Sequence, residues 1–120
     1  MDQRFFWTLE DVLKEYPIDP DAESRWFFFP GTEHSSANLA QGRGKIRAHT
    51  HDHHDEYLYI LKGEAELTVG GITSKIKAGD LVVIPMGTLH NGMILSDTIN
   101  ILSVYAPYFD NDNPDRNFRE

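Results

Sequence analysis

The residues of this chain best suited to chemistry are its histidines. Five of the six fall within residues 49–54 and at position 90, and the first group reads His49-Thr50-His51-Asp52-His53-His54-Asp55-Glu56. Side chains two apart on a strand share a face, so His49 and His51 can point at one ion. Glu56 opens the next strand-length segment, after a connection long enough to return it beside them. Three neutral imidazoles and a carboxylate suit a borderline divalent metal such as Fe, Mn, Ni, Zn or Co. Four protein ligands leave one or two positions of an octahedral ion open for water or substrate. The chain has no cysteine, which excludes thiolate ligands, thiol nucleophiles and disulfides. A second triad, His51, His53 and Glu56, is open to the same reasoning. His53 and His54 otherwise read as a surface run in the connection, and His34 as an ordinary surface or edge residue.

The elements that must position these groups are mostly strands. Thr8-Leu9-Glu10-Asp11 looks like a helix start, a threonine cap followed by first-turn acids that suit the helix dipole. Tyr16-Pro17 ends that helix early, and Pro20 keeps the chain extended. From residue 24 onward the pattern is strand and turn. Residues 26–29, Trp-Phe-Phe-Phe, are apolar in both registers, as in a strand covered on both faces. Segments 45–51 and 56–62 are strand-length and bounded by glycine. Segments 64–69 and 72–77 flank Gly70-Gly71, a hairpin signal. Further strands are expected at 81–84, 90–95 and 98–105, with turns at Ala78-Gly79-Asp80 and Pro85-Met86-Gly87. Such a series of short strands indicates an all-β sandwich or barrel. Residues 1–23 form a helix and arm, 24–106 the barrel, and 107–120 a loosely attached tail rich in Asp, Asn and Pro.

The 120 residues suffice for one compact domain, with 40% hydrophobic and 25% charged residues. Nineteen acids against 11 bases give a net charge of −8, which repels phosphate backbones, so no nucleic-acid partner is expected. Met1 is followed by charged Asp2 and Arg4 rather than an apolar signal core. No apolar run approaches the ~20 residues of a membrane span. The expectation is a soluble, cytoplasmic protein without a membrane partner.

Residues 49–63 resemble the first motif of the cupin superfamily, H-x-H-x4-E-x6-G, through His49, His51, Glu56 and Gly63. Residues 79–90 resemble its second motif, G-x5-P-x-G-x2-H, through Gly79, Pro85, Gly87 and His90. The resemblance implies a double-stranded β-helix, or jelly-roll barrel, holding one divalent metal through His49, His51, Glu56 and His90. It spans about two-thirds of the chain. Two positions depart from it. Arg43, between Gly42 and Gly44, stands where a glycine usually lies, and Ile94 replaces a usual asparagine and makes the wall near the metal more apolar.

Around that centre, Leu58 and Ile60 share Glu56's face and are expected to line a pocket with Ile94 and Met93. Arg47 shares a strand face with His49 and could receive a carboxylate, although a salt bridge to one of the acids is the simpler expectation. Tyr57 and Tyr59 face the other way, as packing or interface residues. Together with residues 26–29 they suggest a homodimer. The resemblance leaves the reaction open. A metal-dependent enzyme acting on a small organic substrate leads, with non-haem dioxygenase-like chemistry first. A Lewis-acid lyase, isomerase or cyclase, or a non-catalytic binding module, follows. The complete ligand set weighs against a metal-free sugar-epimerase type. The 23 residues before the barrel leave no room for a helix-turn-helix regulator. No separate general base is identifiable.

Overall fold

A computed structural model of the protein describes residues 4–120. Helix α1 spans Leu9–Glu15. The Thr8 carbonyl accepts the amides of Asp11 and Val12 at 3.1 and 3.2 Å, but the Thr8 side chain makes no capping bond. Glu10 and Asp11 occupy the first turn, and the helix stops at Tyr16 because Pro17 cannot continue it. Among the described residues no helix is long and apolar enough to cross a membrane.

Ten strands follow: β1 (Ser24–Phe28), β2 (Ser36–Gly42), β3 (Lys45–Thr50), β4 (Asp55–Lys62), β5 (Glu64–Val69), β6 (Ile72–Lys77), β7 (Leu81–Ile84), β8 (His90–Ile94), β9 (Ile99–Ala106) and β10 (Asn117–Phe118). They form two antiparallel five-stranded sheets, β1-β2-β9-β4-β7 and β10-β3-β8-β5-β6. The fold is an all-β jelly-roll barrel with a short N-terminal helix.

Strict alternation drives the two sheets together. Along β4, Glu56, Leu58 and Ile60 point inward and are buried, whereas Tyr57 and Tyr59 point out. Ile99 and Ile101 of β9, Ala65 and Leu67 of β5, Ile76 and Ile84 complete the core. At the β5–β6 hairpin Gly70 and Gly71 both take positive φ, 56° and 81°, as a two-residue turn of this hand requires. Gly63 joins β4 to β5 at φ +96°, and a Cβ there would meet the Thr98 carbonyl oxygen at 2.5 Å.

Two sequence expectations need correction. Residues 26–29 are not covered on both faces. β1 is an edge strand; Phe27 and Phe29 pack against Trp7 while Trp26 and Phe28 stay 37% and 47% exposed. Nor is the C-terminal segment loosely attached. Phe109 is 1% exposed beneath His51 and Tyr105, and β10 pairs with β3 through Asn117–Thr50 and Phe118–His49. Asp115 accepts the amides of Asp52 and His53 at 3.0 and 2.7 Å. The polar composition that suggests a tail here serves a clasp of side chain-to-backbone hydrogen bonds.

Candidate metal centre

Antiparallel pairing of β3 with β8 sets His49 directly opposite His90, after a register irregularity between Ile46 and His49. His51 follows β3 immediately. Glu56 comes from the opposing sheet, where it lies opposite Tyr105 of β9 and Ile84 of β7. The turn before β8 locks these pieces together. The Gly87 amide donates to the His51 carbonyl at 2.9 Å and the Met86 amide to Asp55 Oδ1 at 2.8 Å. Gly87 makes that turn at φ +78°.

Each imidazole is oriented by a backbone carbonyl. Nδ1 of His49 donates to Arg47 O at 2.6 Å, Nδ1 of His51 to Asp115 O at 2.6 Å, and Nδ1 of His90 to Thr88 O at 3.0 Å. In the neutral rings this fixes the tautomer and leaves Nε2 with its lone pair free, the arrangement typical of metal-bound histidine. The ligand atoms of His49, His51 and His90 lie within 4.8 Å of one another. Glu56 falls outside that mutual distance, but its Oε1 stands 3.3 Å from His51 Nε2 and 3.6 Å from His90 Nε2.

Burial makes the arrangement electrostatically demanding. His51, His90 and Glu56 are at most 4% exposed. Desolvation lowers His49 to about 4, helped by the neighbouring His90 and His51, and it lowers His90 as well. Burial also disfavours the His51 cation, but contact with the Glu56 carboxylate outweighs it and raises that histidine. Glu56 is lowered despite its desolvation, because His51 and Tyr105 stabilise its anion. Burial and the Glu56 charge push the Tyr105 phenol well above its usual value. At neutral pH, His49 and His90 are therefore uncharged and Tyr105 keeps its proton.

The donor set fits a cation on an observation independent of any motif. Glu56 Oε1 is buried and has no hydrogen-bond partner among the described residues. A buried carboxylate oxygen left unpaired is costly, and a divalent ion among the three free Nε2 atoms removes the cost.

The centre opens into a cavity of about 310 Å³. Arg47, Leu58 and Ile94 line it, as do His49, Glu56 and His90. Ile60 does not. It is fully buried in the core beyond Leu58, because each inward step along β4 leads away from the open end. Met93 faces outward, 46% exposed. Arg47 lies at the mouth, its guanidinium over the Phe118 ring at 3.9 Å and its Nε 3.3 Å from Glu120. Arg43 turns its guanidinium to the carbonyls of Asp19, Pro20 and Ala22, tying the N-terminal arm to the barrel.

Several residues of the site were not anticipated. Tyr105 lines the cavity, and the period-two pattern Ile99, Ile101, Ser103, Tyr105 carried that signal. Arg116 also lines it, and nothing in the composition of its segment marks it out. His54, expected on the surface, is buried, with Nδ1 2.7 Å from Asp115 Oδ2 and Nε2 3.0 Å from Tyr108 O. It holds the C-terminal segment and takes no part in the triad.

Residues 35–104, more than half of the chain, match the family model described as "Cupin domain". The chain belongs to the cupin family. An uncharacterized protein of Aquifex aeolicus is 36% identical over 62 residues, which are 52% of this chain and 51% of that protein. This cupin spans about half the length of the curated relatives it matches. Among solved structures, an uncharacterized conserved protein with a double-stranded β-helix domain from Klebsiella pneumoniae is 26% identical over 99% of both chains, at a TM-score of 0.75. KdgF from Halomonas shares the fold at a TM-score of 0.72 and 22% identity, over 80% of this chain and 89% of that one.

Proposed function

We propose that this cupin holds one divalent transition metal through His49, His51, Glu56 and His90 and acts on a small organic molecule bound in the adjoining cavity. One observation carries the reading: three ring nitrogens freed by carbonyl-bound Nδ1 atoms converge beside an unpartnered buried carboxylate oxygen, at the wall of a cavity. The ion, Fe, Mn, Ni or Zn, would supply Lewis acidity or redox chemistry beside the substrate. The chain's own residues supply the rest. Leu58, Ile94, Ile99 and Ile101 exclude water from part of the cavity, favouring a partly apolar substrate.

Oxygenase-type chemistry is the first reading, because a three-histidine, one-carboxylate set retains redox-active ions and leaves coordination positions open. Tyr105 favours a second. Its phenol, kept protonated by burial against Glu56, is a fixed hydrogen-bond donor at the cavity wall, suited to orienting a substrate oxygen in a lyase, isomerase or cyclase. Turnover of a hit substrate decides between them, measured with and without oxygen on protein loaded with Fe or with Zn. Full anaerobic activity with Zn supports the Lewis-acid reading, and strict dependence on both oxygen and Fe supports the oxygenase. Binding without turnover under every metal supports a non-catalytic module. The same proposal takes the protein to be a cytoplasmic homodimer acting without nucleic acid or membrane. Its outward Tyr57, Tyr59, Leu81, Val83 and Val104 support the dimer.

A further inference from the structure

Four cations line the cavity in a chain of net charge −8: Arg43, Lys45, Arg47 and Arg116. Three are already engaged. Arg43 is committed to three backbone carbonyls. Lys45 and Arg47 share the Glu120 carboxylate, at 3.4 and 3.3 Å. Arg116 is different. Among the described residues no carboxylate forms an ion pair with it, although the chain holds 19 acids. It is half-buried, with Trp26 and Phe109 ring centroids 4.9 and 5.7 Å from its guanidinium carbon. Of the two carboxylates lining the cavity, Glu56 faces the imidazoles and Glu23 is exposed.

A guanidinium held between aromatic rings has lost part of its hydration and keeps its planar fork of donors, which matches a carboxylate in a bidentate pair. Arg116 also belongs to the metal centre rather than to the outer surface. It lines the same cavity as His49, Glu56, His90 and Tyr105, and its charge and hydrogen bonding oppose the upward shift of the Tyr105 phenol. Its position is built, because the preceding residue Asp115 is fixed from both ends. The Asp115 carbonyl receives His51 Nδ1 and its carboxylate receives His54 Nδ1 and the amides of Asp52 and His53.

We propose that the cavity takes a small organic monocarboxylate, with Arg116 as the residue that binds the carboxylate and the apolar body lying against Leu58, Ile94, Ile99 and Ile101. This rests on the metal-centred reading above and names its substrate class. It also moves the anion-binding role expected of Arg47 to a residue of the C-terminal segment.

The test compares phenylacetate with phenylacetamide, which has the same body without the charge. Calorimetric titration is run on the Zn-loaded and the chelator-stripped full chain, for wild type, R116Q and R116K, with bound Zn measured in each. Wild-type protein is expected to favour the carboxylate by about tenfold or more, as a charge-assisted bidentate pair provides. R116Q should lose most of that preference while its Zn content and its amide affinity hold, which shows an intact cavity. R116K should fall between, keeping the charge but losing the fork. An R116Q protein that retains the full preference overturns the proposal, because the metal alone would then grip the carboxylate. So does a wild type without preference. If the chain binds no Zn, the metal reading fails by itself. The stripped protein still decides this proposal, through the presence or absence of an Arg116-dependent preference.

Discussion

Replacing Asp115 by alanine tests whether the C-terminal segment is a structural part of the site. Its carboxylate accepts four donors: the amides of Asp52 and His53 at 3.0 and 2.7 Å, His54 Nδ1 at 2.7 Å and Asn117 Nδ2 at 2.9 Å. Hydrogen bonds to a charged group are worth roughly 1.5–3 kcal/mol net, but water can replace the carboxylate at an exposed donor such as the His53 amide. The bond to buried His54 has no such substitute, so the loss should be about 3 kcal/mol in total. Phe109 stays anchored in the core, so the loss appears as local opening of residues 110–120 rather than global unfolding. Amide exchange there should accelerate about a hundredfold, the factor corresponding to about 3 kcal/mol. Because Asp115 O orients His51, metal affinity should drop about tenfold or more in the same variant. The sign of the pH dependence is fixed as well. Hydrogen bonds from His54, the His53 and Asp52 amides and Asn117 outweigh desolvation and depress the folded Asp115 below its reference of 3.8. Its contribution is therefore complete above that reference and fades as the pH falls below it. Unchanged exchange across residues 110–120 in D115A would refute the clasp, and unchanged metal affinity would refute its link to the site.

The ligand assignment predicts about one equivalent of metal per chain, measured by elemental analysis of untagged protein and abolished in a His49→Ala, His51→Ala double variant. Glu56→Gln should weaken binding less, since the amide oxygen still coordinates. Metal affinity should rise with pH until His51, the histidine held above its usual value, has lost its proton, then level off, as competition titrations across pH would show. Gly63→Ala sets a Cβ against the Thr98 carbonyl at a positive φ and should cost about 2–4 kcal/mol, read as a fall in Tm of about 10 °C. Light scattering should give twice the 13.7 kDa chain mass, and Tyr59→Glu together with Val83→Glu should return the monomer.

What could be read in advance followed from local rules. Alternation along 56–62 assigned Glu56, Leu58 and Ile60 to one face because a strand has period two whatever surrounds it. The Gly-Gly hairpin was legible because only glycine enters that turn freely. The limits were equally physical. Alternation gives the face of Ile60 but not its depth, and depth excludes it from the cavity. Residues 26–29 are apolar in both registers, so their pattern cannot show that β1 lies at a sheet edge. Residues 110–120 form one two-residue strand and otherwise hold on chiefly by contacts more than 60 positions away, such as Asp115 with His54 and Arg119 with Ala48. No local periodicity encodes such a contact, so the segment reads as tail, and with it Arg116 and Asp115 escape notice. Motif spacing, by contrast, carries long-range information for His49 and His90, which meet in register across β3 and β8.

The charge arithmetic of the site connects its donor set to its ligand. A divalent ion facing three neutral imidazoles and one carboxylate retains one positive charge, and Arg116 adds another nearby. A second carboxylate ligand would have neutralised the ion. In the proposed site histidine would keep it electrophilic, and desolvation, which lowers His49 and His90, would preserve that state at ordinary pH. The remainder of the chain is strongly acidic, yet at physiological ionic strength exposed charges are screened beyond about 8 Å while partly buried ones are much less so. With the ion bound, the cavity would be a positive focus within a negative molecule, and the acids at or near it are exposed or engaged elsewhere: Glu23 is exposed, Glu56 faces the imidazoles, Glu120 pairs with Lys45 and Arg47, and Asp115 with His54. A neutral ligand would leave the Arg116 charge half-buried and unpaired, whereas a monocarboxylate compensates it while its apolar body displaces water from Leu58 and Ile94.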